Sequence, residues 1–97
     1  MATQIFVNLA VKDLPKSKAF FSALGYSFNL QFTNDDAACM VISDTIYTML
    51  LTEPFFKGFT SKELVDAKKS TEAIVCLSAE SRAAVDEIVS KAVAAGG

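Results

Sequence analysis

The feature that most constrains this chain is a switch of hydrophobic period across Asp13. Ile5, Val7, Leu9 and Val11 alternate with Phe6, Asn8 and Ala10. That period of two sends successive side chains to opposite faces of a strand. Asp13 then offers an oxygen to the first free N–H groups of a helix, and Pro15 suits a first turn. Leu14, Ala19, Phe20, Ala23 and Leu24 recur at helical spacing until Gly25 stops them. A strand feeding directly into an amphipathic helix predicts a layered fold of class α+β.

The period of two returns at Tyr26, Phe28, Leu30 and Phe32, which predicts a second strand. Asn34-Asp35-Asp36 is a turn cluster. Ala38 to Ser43 reads as a third strand, and Thr45 to Thr52 as a fourth that Pro54 ends. Residues 54–71 hold Phe55, Phe56 and Phe59 but no clear period, and read as a connecting loop. Glu72 to Ala79 is a fifth predicted strand. Ser81 caps a second helix with Val85, Ile88, Val89, Ala92 and Val93 on one face, and Gly96-Gly97 ends it.

Three segments follow: a βαβββ module over 1–53, the connecting loop 54–71, and a strand and helix over 72–97 that repeat the opening of the first module. Aligning Leu9-Ala10-Val11 with Leu77-Ser78-Ala79 sets Phe6 opposite Ile74 and Asn8 opposite Cys76. The expected architecture is a mixed sheet with both helices on one face and a concave, apolar face on the other.

Composition narrows the function. Hydrophobic residues are 52% of the 97, which excludes a disordered chain. A domain this short buries only roughly 60–65% of its unfolded surface. So much apolar content predicts a dense core or a face that waits for a partner. The net charge is −2 and the nine Lys and Arg are scattered, which argues against a nucleic-acid surface. No apolar run reaches the roughly 20 residues that span a bilayer, and no basic segment opens a secretion signal. Cys39 and Cys76 read as free thiols in a reducing cytoplasm. Histidine is absent, so the commonest metal ligand and general base are both missing.

Val7-Asn8-Leu9-Ala10-Val11-Lys12-Asp13-Leu14-Pro15-Lys16-Ser17, then Phe20-Phe21 and Leu24-Gly25-Tyr26, resemble the opening of the vicinal oxygen chelate superfamily, which includes glyoxalase I, bleomycin-resistance proteins and extradiol dioxygenases. Ala92 to Gly97 looks like the end of that family's second helix. The resemblance implies two βαβββ modules whose sheets enclose a ligand cavity, and metal enzymes among its members place ligands in the first and fourth strands. Those positions match Phe6, Ile74 and either Met49 or Leu50, all of them apolar. The resemblance therefore implies no cofactor and no metal site in this chain.

The expected function is that of a glyoxalase-like or bleomycin-resistance-like protein that binds a small molecule without a metal. The cavity-lining candidates are Phe6, Asn8, Ala10, Met49, Ile74, Cys76 and Ser78, with no catalytic residue identified. Asn8 is the one polar side chain midway along an apolar strand. It could hydrogen-bond a ligand or serve a structural bond, because a buried polar group must be satisfied. Cys76 lacks a histidine to activate it and reads as an inert thiol. Glu53 with Asp44 or Glu72 reads as separate solvated carboxylates. Two alternatives stand beside this reading. One is a metal-dependent lyase or dioxygenase completed by residues beyond Gly97 or by another chain. The other is a dimerisation module without a ligand. The expected partners are a second copy of the chain, forming a homodimer, and a small molecule, with no nucleic acid and no membrane.

Overall fold

The computed structural model describes residues 3–97. Strand β1 (Ile5–Val11) runs into helix α1 (Leu14–Ala23), and then come strands β2 (Ser27–Phe28), β3 (Ala37–Val41) and β4 (Ile46–Thr52). A single helical turn α2 (Glu53–Phe56) and a 3-10 turn (Lys57–Phe59) follow. After a long irregular stretch the chain ends in helix α3 (Arg82–Ala94). The sheet order is β1-β4-β3-β2, with β1 parallel to β4 and the other pairs antiparallel. The fold is therefore α+β with a four-stranded mixed sheet. Among the described residues no helix is long and apolar enough to cross a membrane.

Local chemistry sets the element ends. The Asp13 carboxylate accepts the Lys16 N–H at 3.1 Å and caps α1. At the other end Gly25 has φ 102°, its N–H donates to the Ser22 carbonyl and the Tyr26 N–H to the Phe21 carbonyl. This is a Schellman closure, and Tyr26 completes it by meeting Phe21 edge to face. Helix α3 uses the same devices: Ser81 Oγ accepts the Ala84 N–H, and Gly96 adopts φ 103°. Asn34 Oδ1 accepts the N–H groups of Asp36 and Ala37, which fixes the turn into β3.

The register sorts the two sheet faces. Leu9 pairs with Leu50 and Leu50 with Ala38, so all three face α1, where Leu14 and Phe21 close the core. Leu14, Ala38 and Leu50 are almost fully buried. The opposite face carries Phe6, Asn8 and Ala10 from β1, Tyr47, Met49 and Leu51 from β4, and Cys39 from β3. Helix α3 packs beside α1, which itself lies against β3 and β4.

Four expectations need correction. The second strand does not run to Phe32. The Asn29 side chain accepts the Gln31 N–H, and Thr33 Oγ1 bridges the Asn29 carbonyl and the Cys39 N–H, which bends 30–32 into a 3-10 turn. The loop 54–71 opens with helical turns, because Pro54 sits where a helix tolerates it. Residues 72–79 form no strand. They are exposed throughout and pair with nothing among the described residues, and an extended segment becomes a strand only by sharing hydrogen bonds with a neighbour. Finally, the apolar stripe of α3 is only half used: Ile88 and Ala92 are partly buried, whereas Val85, Val89 and Val93 are 45%, 54% and 65% exposed.

The molecule is a slab of 41 × 39 × 22 Å with a radius of gyration of 14.0 Å, against about 12.5 Å for a compact domain of this length. Its accessible surface is 7274 Å², where a compact monomer of this mass exposes about 5400 Å².

Candidate functional site

The face opposite α1 gathers four of the candidates. Phe6, Asn8 and Ala10 alternate along β1, and Met49 sits beside Asn8 in the register. The same register decides between Met49 and Leu50: Leu50 is buried in the core, so Met49 is the fourth-strand residue on the candidate face. Tyr47 also belongs here. It pairs with Phe6, and the rings stack with centroids 4.8 Å apart and planes 9° from parallel. Period two over Tyr47, Met49 and Leu51 already placed Tyr47 on the Met49 face, a signal present in the sequence.

Strand β1 is an edge strand, so among the described residues no strand lies beyond the outer side of Phe6, and the residue is 48% exposed. Asn8 is exposed too. Its side-chain amide donates to the Phe6 carbonyl at 3.3 Å, a bond within one strand that leaves the group in reach of a ligand.

A cleft of about 270 Å³ opens along β1 and holds Asn8. Phe56, Thr60, Glu63, Leu64 and Glu72 complete its walls. Of the cavity-lining candidates only Asn8 is among them; Phe56, Thr60, Glu63 and Leu64 come from the segment whose period could not be read, and Glu72 from the start of the expected fifth strand. An amide, a hydroxyl and two carboxylates against an apolar wall can orient a small polar-apolar molecule. Glu53 and Glu72, expected to be unrelated, both line a neighbouring cleft of about 220 Å³ at the end of β1. Phe55 and Phe59 pack edge to face with centroids 5.4 Å apart.

The remaining candidates do not join this face. Ile74, Cys76 and Ser78 are exposed on the irregular segment, and Ile74 is 85% exposed. Without strand pairing nothing holds their side chains to the alternation that would have aligned them with Phe6 and Asn8. Burial raises the Cys39 thiol above its ordinary pKa, so it stays protonated and unreactive at neutral pH.

The residues at the family's metal positions do not fit a divalent cation. Phe6 is occupied in a ring stack, Met49 offers a thioether, and Ile74 is an exposed hydrocarbon. Among the described residues no group of three or more His, Cys, Asp or Glu could hold a metal.

Known proteins share the opening segment or the fold. The family described as Bleomycin resistance protein-like N-terminal matches residues 3–43, which span β1 to β3. The solved structure of a hypothetical protein from S. aureus is similar over 99% of this chain and 72% of its own, at 28% identity and a TM-score of 0.79. A glyoxalase/bleomycin resistance protein/dioxygenase family enzyme from Burkholderia phytofirmans PsJN shares the fold over 98% of this chain and 74% of its own, at 16% identity and a TM-score of 0.67. No curated protein matches the chain. The opening segment thus resembles the N-terminal segment of bleomycin-resistance-like proteins, and the whole chain shares the fold of these two structures.

Proposed function

We propose that this chain is a glyoxalase-like or bleomycin-resistance-like member of the vicinal oxygen chelate superfamily that binds a small molecule without a metal, on the sheet face carrying Phe6, Asn8, Ala10 and Met49. The observation that carries the reading is the half-exposed Phe6–Tyr47 stack at the edge of the sheet, with Asn8 next to it. Phe6 and Met49 stand where the resemblance puts metal ligands, and Tyr47 and Asn8 pair with them across β1 and β4. Such a surface binds through apolar contact and a few oriented hydrogen bonds.

A homodimer belongs to the same proposal. The excess of surface over a compact monomer is large enough to supply the roughly 800 Å² that each partner of a standard interface loses. The unpaired edge of β1, with Ile5 52% exposed, is the natural place for it.

The test is a backbone NMR titration of chelator-treated protein with planar heteroaromatic fragments. Saturable shifts clustered on Asn8, Tyr47 and Met49 are expected. Shifts that appear only after a divalent metal is added would overturn the reading, as would elemental analysis showing a stoichiometric metal that survives dialysis. Light scattering at micromolar concentration should give twice 10.4 kDa, and a monomer stable to dilution would remove the dimer.

A further inference from the structure

The parity of β1 fixes which of its backbone groups face outward. The Ile5 N–H donates to the Thr45 carbonyl at 2.7 Å, so Ile5 points its backbone groups toward β4. These groups alternate sides along a strand. Val7, Leu9 and Val11 therefore point the same way, and Phe6, Asn8 and Ala10 offer their N–H and C=O groups to the free edge. Among the described residues no backbone group bonds to them there. The irregular stretch after α2 lines clefts beside Asn8 and Ala10, yet makes no backbone hydrogen bond to β1.

One of these outward groups is already engaged. The Phe6 carbonyl accepts the Asn8 side-chain amide at 3.3 Å. A strand adds to an edge through the outward N–H and C=O groups of that edge, so an incoming strand competes with the amide for this carbonyl. We propose that Asn8 is a latch on the edge of β1: its amide holds the Phe6 carbonyl, and pairing with a second copy of the chain requires the latch to open. The inference rests on the dimer reading above.

The strand itself fits a second copy. An antiparallel β1 centred on Asn8 sets Phe6 of each copy against Ala10 of the other, and Asn8 against itself. A ring then meets a methyl group, and the outward groups of all three residues fall in register. In that arrangement the Ala10 N–H of one copy donates to the Phe6 carbonyl of the other, the acceptor that Asn8 holds in the single chain. A dimer therefore opens two latches, one in each copy.

The experiment measures the dimer dissociation constant of the full chain by sedimentation equilibrium, for the wild type, Asn8→Ala and Asn8→Leu. The Phe6 carbonyl carbon resonance is recorded for each at high dilution. Asn8 is exposed, so both variants keep the fold. Both should dimerise about fivefold more tightly, the combined worth of two exposed hydrogen bonds at the low end of the usual range. Both should also move the Phe6 carbonyl resonance of the dilute chain. Tightening by Asn8→Leu alone would trace the gain to apolar bulk and overturn the latch. Variants that dimerise no more tightly than the wild type would overturn it while leaving the dimer standing. Monomers throughout would overturn both, and an unmoved Phe6 resonance would show that the amide does not hold the carbonyl.

Discussion

Phe6 and Tyr47 stack almost in parallel across the β1–β4 pair, with ring centroids 4.8 Å apart. Because β1 is the edge of the sheet, the stack ends at Phe6, and among the described residues its outer side faces no further strand. Phe6 should therefore matter more for binding than for folding. A half-exposed aromatic pair contributes about 1 kcal/mol. Phe6→Ala should lower stability by about that much in denaturant melts, while abolishing the fragment-induced shifts at Asn8 and Met49. Retained binding would remove Phe6 from the site.

Asn8→Leu separates a ligand contact from a structural one. Its bond to the Phe6 carbonyl is local and exposed, so its loss should change stability by no more than about 0.5 kcal/mol. A loss of about 1–3 kcal/mol would mean that a buried partner is left unsatisfied. A thermal melt distinguishes the two.

Gly25→Ala tests the closure of α1. The position has φ 102°, which an L side chain adopts only under strain, though a Cβ would meet no neighbouring atom. The cost is conformational, about 1–2 kcal/mol. Chemical denaturation of the variant should show it, with the m-value unchanged.

The two thiols should behave oppositely. Cys76 is exposed and should react quickly with a disulfide reagent in the native protein, whereas Cys39 should react only on unfolding. Desolvation holds the Cys39 thiol above its ordinary pKa. Folding thus favours the protonated form, and the stability present below the ordinary thiol pKa is lost as pH rises through the raised value. Urea melts from neutral to alkaline pH should fall more steeply for the native protein than for Cys39→Ala. Parallel pH profiles would show that Cys39 does not titrate with unfolding.

The sequence by itself determined what depends on neighbours along the chain. The strand period around Asn8, the caps at Asp13 and Ser81, the stops at Gly25 and Gly96 and the turn at Asn34 are all local, and each stands where its chemistry predicts. It also placed Phe6, Asn8, Ala10 and Met49 on one face, because alternation alone sorts a strand. The tertiary structure decided what depends on pairing. It chose Met49 over Leu50 through the β1–β4 register, joined Tyr47 to Phe6, and brought Phe56, Glu63 and Glu72 to Asn8. It also left Ile74, Cys76 and Ser78 off the sheet, since a strand-like pattern makes a strand only where another strand accepts its hydrogen bonds.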